Sequence, residues 1–176
     1  MKFSFTLALA ATAVATPLAV RDLATAKAVL NDVKTGLNNL QTAASAFKGD
    51  PTDLKKAASS LISTVEADTT KINNMTPLST FDCLGLIQPA KDVGAQGKAL
   101  AQQLRDRKAD IEKAKQCATT HDFLATGATD SQALVDAVVK KVPSSLQDEV
   151  KKEAGDVVQT LKDLRDEFGP DKCHDA

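Results

Sequence analysis

The chain has 176 residues, with 22 Lys and Arg against 23 Asp and Glu, a net charge of −1, and no Trp or Tyr. Charges of both signs alternate along the segments without a long basic run, which argues against nucleic acid or an anionic membrane surface as partner. Beyond residue 15 only Phe47, Phe81, Phe123 and Phe168 are aromatic, too few for sugar platforms or base stacking.

Met1–Ala15 carries Lys2, then an apolar run, then the small-x-small ending Ala13-Val14-Ala15. That pattern predicts a signal peptide over 1–15, cut after Ala15, with Ala19 or Arg21 as later alternatives. No later stretch approaches the length of apolar residues that a membrane span needs, so no transmembrane segment is expected. The expected location is secreted, extracellular or cell-wall associated. Residues 22–168 read as one helical domain and 169–176 as a C-terminal tail.

From Asp22 to Phe47 the apolar positions are Leu23, Ala26, Leu30, Val33, Leu37, Leu40, Ala44 and Phe47. Their steps of three and four place all of them on one stripe of a helix. At 1.5 Å per residue this helix is roughly 39 Å long and must hide its stripe against others of similar length. Gly49 suits a left-handed terminus, and Asp50-Pro51 opens a second helix with the stripe Leu54, Ala58, Leu61, Val65, Asp68, Ile72, Met75. At Asp68 either the stripe drifts onto Thr69, the reading preferred from the sequence, or a carboxylate points inward. Asn74-Met75-Thr76 is a glycosylation sequon at Asn74, disfavoured by Pro77 directly after it.

Ser79 and Asp82 form a capping box for a third helix, which runs through Leu84, Ile87, Ala90, Val93 or Gly94, Gly97, Leu100 or Ala101, and Leu104 and is kinked at Pro89. Arg105–Lys108 reads as a turn. A fourth helix follows over roughly 109–142, with a break near Gly127 as an option and the apolar positions Ile111, Ala114, Ala118, Ala125, Ala128, Val135 and Val138. Pro143 stops it, and a last helix carries Leu146, Val150, Ala154, Val157, Leu161, Leu164 and Phe168 before Gly169-Pro170. No stretch alternates at period two for long. The expected fold is all-α, an up-and-down bundle of about five amphipathic helices.

Gly36, Gly94, Gly97, Gly127 and Gly155 lie inside helices, each at a cost of about 1 kcal/mol against Ala. Close helix packing is one compensation; an interior left under-filled and able to take an acyl chain is the other. Of the three cysteines, Cys117 and Cys173 come together if the last helix returns beside the fourth. The oxidising secretory route favours a disulfide between them; a Cys2His2 zinc site with His121 and His174 is the minor alternative, and no pairing a third. Cys83 is then the odd thiol, either buried and inert or available for dimerisation. No nucleophile elbow, zinc-protease motif or phosphate loop is present, so no catalytic residue, cofactor or metal is expected.

The leader, Arg21-Asp22 opening a long helix, five helices, and Lys140-Lys141-Val142-Pro143 before a final helix with Gln147 near its start resemble the fungal hydrophobic surface-binding protein A family. That family includes cell-wall galactomannoproteins. The resemblance implies a non-enzymatic helical bundle that adsorbs to hydrophobic surfaces, and in some members holds fatty acids between its helices. The expected partners are thus a fatty acid or other apolar ligand and hydrophobic surfaces. A protein-interaction module, directed at a secreted enzyme or a host protein, is the alternative. Were the core under-filled, Leu61, Val65 and Ile72 of helix two should face Leu84, Ile87, Val93, Gly97 and Leu100 of helix three. The ligand's head group would then lie near Ser79 or Thr80.

Overall fold

The computed structural model describes residues 16–176, with side chains from Asp22 onward; the expected signal peptide at 1–15 lies outside the described residues. Among these residues every regular element is helical: α1 (Thr16–Ala46), α2 (Thr52–Asn73), α3 (Thr80–Leu84), α4 (Ile87–Asp106), α5 (Lys108–Lys113), α6 (Cys117–Val139), a 3-10 turn at Ser144–Leu146 and α7 (Gln147–Glu167). Seven helices therefore stand where about five were expected. The two extra ones come from breaks that hydrophobic periodicity does not mark.

The first break splits the expected third helix. Pro89 does not kink a continuous helix; it lies in the first turn of α4, where its missing N–H has no intrahelical partner to lose. The capping box forms as expected, with the Asp82 N–H donating to Ser79 Oγ and the Ser79 N–H to Asp82 Oδ2, but it starts only the five-residue α3. The second break falls at 114–116 rather than at Gly127, where Lys115 adopts φ 57°. It resets the helical phase, so that Ala118 is exposed while Cys117, Leu124 and Ala128 are buried. Gly49 takes φ 107°, the left-handed conformation that glycine accepts most easily. The Asp50 carboxylate accepts the Thr52 N–H at 2.9 Å just ahead of α2, but the N-cap position falls to Pro51 rather than to Asp50 as expected, one residue later along the chain.

The five long helices close into a ring in the order α1, α2, α6, α7, α4 and back to α1. Short connections make α1 with α2, and α6 with α7, antiparallel neighbours. The longer connections at 74–86 and 107–116 carry the chain across the ends of the bundle, so α4 lands beside α1 and α7 rather than beside α2. Along α1 and α4 the bonded residues rise together, Asn38 with Gln96 and Gln41 with Gln103, so this pair is parallel. In a simple up-and-down bundle each helix would pack against its predecessor and successor. Here α2 and α4 face each other across the ring instead.

Asp68 points inward and is fully buried, contrary to the preferred drift of the stripe. Its Oδ1 accepts from Lys71 Nζ at 2.7 Å, and Lys71 reaches Asp32 Oδ2 at 3.0 Å, which ties α2 to α1. Desolvation raises the Asp68 carboxyl above its ordinary 3.8, against the opposing pull of Lys71. The folded chain therefore binds this proton at a higher pH than the unfolded chain. The cost of ionised Asp68 is present above the folded pKa and is relieved as pH falls through it. Urea melts between about pH 7 and pH 4 should show the wild type gaining stability relative to Asp68→Asn as pH falls. A gain by the variant over the same range would contradict this placement.

Candidate functional site

Fully buried side chains form two separate clusters, one at each end of the ring. The first joins Leu40, Ala44, Phe47, Leu104, Ile111 and Phe168 around the Cys117–Cys173 disulfide. The second joins Ala26, Val29, Ile72, Met75, Leu78, Cys83, Ala137 and Val142. Between them several inward positions are only half-buried, among them Val33 and Leu37 of α1, Leu61 of α2, Val93 of α4 and Val157 of α7, while Val65, Asp68, Ala128 and Val158 are buried. They surround a pocket of about 170 Å³ on the axis of the ring, with walls from all five long helices.

Both compensations for the helical glycines occur. A Cβ on Gly36 would stand 2.6 Å from Leu61 Cδ1, so this glycine serves the close approach of α1 and α2. Gly127 lines the pocket and has open space where a Cβ would be. Most of the lining is aliphatic. The polar exceptions are Lys55, Gln116, Thr119 and Thr120 towards the disulfide end, and Asp130, Ser131 and Thr160 further along. Gln116 Nε2 donates to the Ala114 and Lys115 carbonyls at 3.1 and 3.0 Å, which fixes the α5–α6 corner.

Of the residues named from the sequence, Leu61, Val65, Val93, Gly97 and Leu100 line this pocket, meeting across the ring rather than along one helix pair. Ile72 belongs to the end cluster instead. Leu84 and Ile87 are 58% and 47% exposed, because the break at Gly85–Leu86 takes them out of the expected continuous helix. Phe81, 83% exposed, is a third large apolar side chain left open to solvent near the α2–α4 connection. Ser79 is occupied by its capping box, and neither it nor Thr80 lines the pocket. Asn74 is exposed at the C-terminus of α2. The periodicity of α1 and α7 contained Val33, Leu37, Val157 and Leu161 as core positions, without marking them as pocket walls. Phe123 was missed, although it is the one aromatic residue of α6.

Cys117 and Cys173 are disulfide-bonded, with Cα atoms 5.6 Å apart, so their sulfurs are not available to the zinc alternative. Glu112 lies beside them, and its backbone carbonyl accepts the Ala176 N–H at 3.0 Å. Asp175 Oδ1 accepts the Cys117 N–H at 3.0 Å, so the tail caps α6 as well as being bonded to it. Cys83 is a free, buried thiol whose pKa is raised by burial and by the Asp82 charge.

The fold is shared with several solved structures. Ligand binding domain 1 of the Penicillium marneffei MP1 protein, complexed with arachidonic acids, superposes with a TM-score of 0.82 at 23% identity, covering 85% of this chain and 99% of that domain. Domain 2 of the same protein, also with arachidonic acids, gives 0.81 at 24% identity, over 85% of this chain and 97% of that one. Afmp4p in complex with palmitic acid gives 0.79 at 17% identity, over 84% and 100%. In sequence the chain is 32% identical to cell wall mannoprotein 1 of Aspergillus fumigatus over 77% of its length and 48% of that protein. It is 30% identical to the Aspergillus flavus protein of the same name, over 84% and 55%. The chain thus spans about half the length of the mannoproteins it matches. The sequence pattern of hydrophobic surface binding protein A matches residues 23–140, two-thirds of the chain, and this chain belongs to that family.

Proposed function

We propose that the protein is a secreted, non-enzymatic binder of long-chain fatty acids or similar apolar ligands, held on the axis of the five-helix ring. The observation that carries this reading is the aliphatic pocket of about 170 Å³ between two packed end clusters. The arachidonic and palmitic acids complexed with proteins of the same fold support the same ligand class. Each buried CH2 contributes about 0.8 kcal/mol, so a long acyl chain gains enough to offset the entropy of association. Lys55 and the hydroxyls of Thr119 and Thr120, at the disulfide end, are the groups available to a carboxylate. Mannoprotein relatives and the leader pattern of Met1–Ala15 support an extracellular or wall location.

The native protein should release fatty acid on solvent extraction, detected by mass spectrometry. The delipidated protein should then bind palmitic acid saturably in calorimetry. Failure of both would overturn the reading. Adsorption to apolar surfaces is a second reading, favoured by the exposed Phe81, Leu84 and Ile87 at one end of the bundle.

A further inference from the structure

We infer that the groove between α2 and α6 is where an acyl chain first docks and the way by which it passes into the pocket, an inference that rests on the fatty-acid reading above. Three pairs of neighbours in the ring are not joined by a short connection: α1 with α4, α4 with α7, and α2 with α6. The first pair is held by hydrogen bonds from side-chain amides, Gln96 Nε2 to Asn38 Oδ1 at 2.9 Å and Gln103 Nε2 to the Gln41 carbonyl at 3.1 Å. The second is held by Arg105, whose Nε donates to both carboxylate oxygens of Glu167 at 3.0 and 2.9 Å. Between α2 and α6 the polar links among the described residues are confined to the far end. There Lys141, two residues past α6, donates from Nζ to the Asn73 and Met75 carbonyls at 3.0 and 2.6 Å, and its carbonyl accepts the Leu78 N–H at 2.7 Å; none is formed along the groove itself. This pair also places two acids, Glu66 and Asp122, along the same groove. Like charges there weaken the closed state.

The groove is continuous with the pocket. Ile62, Thr119 and Phe123 line both, so the wall between outside and inside is two apolar side chains and a threonine. The pocket volume supplies the need for opening. About 170 Å³ is close to the roughly 150 Å³ of an engineered cavity that accommodates benzene, well short of a long acyl chain. Uptake therefore requires the ring to widen, and it widens where separation breaks the fewest bonds. Parting α2 from α6 along the groove, with the Lys141 end as the hinge, costs apolar contact alone, which the incoming chain replaces. The ring's other four sides are held by polar bonds or by short connections.

The test is the exchange rate of palmitic acid, followed as its transfer from the loaded protein to phosphatidylcholine vesicles. Ser63 lines the groove beside Asp122 but not the pocket. Ser63→Arg supplies a partner for Asp122 across the groove and should slow release about two- to fivefold, the effect expected of an exposed ion pair. Ser63→Glu adds a third negative charge and should accelerate it by a similar factor. Gln96→Ala and Arg105→Ala, which cut the polar links of the other two pairs, should leave the rate unchanged. Release indifferent to both Ser63 variants, or accelerated instead by Gln96→Ala or Arg105→Ala, would overturn the inference while leaving the binding reading intact. A wild-type protein that takes up no palmitic acid would overturn the binding reading itself.

Discussion

Replacing Cys117 and Cys173 together with alanine should lower the unfolding free energy by about 4 kcal/mol in the chain-entropy description. The bond spans a sequence separation of 56 residues, so its removal frees a long loop of the unfolded chain. In the folded chain it joins the first residue of α6 to the tail after α7, at the centre of the larger buried cluster. Tail contacts then depend on its presence: Asp175 Oδ1 on the Cys117 N–H, the Lys172 carbonyl on Lys108 Nζ, and the Ala176 N–H on Glu112. Single domains have about 5–15 kcal/mol of stability in all, so this loss is a large share. Urea unfolding of the double variant against wild type, without reductant, measures it. A difference below about 1 kcal/mol would mean that the tail packs as well without its covalent link.

Gly97→Leu should weaken palmitic acid binding by about 3 kcal/mol, roughly a hundredfold in Kd, because the new side chain takes the place of three or four methylenes. A Cβ at this position meets Val157 Cγ1 at 3.6 Å, an ordinary contact, so the branch can extend into the pocket without forcing α4 from α7. Circular dichroism should show an unchanged helical content and calorimetry the lost affinity. Adsorption to polystyrene should persist, since Phe81, Leu84 and Ile87 lie outside the pocket. Unaltered binding by a folded Gly97→Leu protein would place the ligand elsewhere.

The helices were legible because their stripes are long. Ala26, Leu40, Ala44 and Phe47 are buried at the expected spacing, and the Ser79–Asp82 capping box appears where the residues put it. Two positions misled for a physical reason. A proline in the first turn of a new helix and one inside an old helix interrupt periodicity identically, so Pro89 could be read either way. Lys115 in the left-handed region carries no side-chain signature at all, whereas Gly127, which looked like a breaker, sits inside an intact helix. The pocket was half legible. Periodicity nominates inward-facing residues such as Leu61 and Gly97, but not which helix lies opposite, and here that is decided by the long connections at 74–86 and 107–116. Asp68 was the remaining surprise: a carboxylate tolerated inside because Lys71 follows one turn later and reaches it.

The division of the buried side chains into two end clusters has a consequence for the rhythm of local opening. Most helices fray from their tips, and their middles are the last backbone amides to exchange with deuterium. Here the tips of the long helices are the parts clamped, by the disulfide cluster at one end and by Ile72, Met75, Leu78 and Val142 at the other. The waist of the bundle is the part that surrounds the pocket, with half-buried Val33, Leu37, Leu61, Val93 and Val157 on its walls. Protection should therefore dip at the centres of α2 and α6 and rise towards their ends, an inverted profile. Such a molecule breathes at its middle while both ends stay shut, and it can change girth without unfolding.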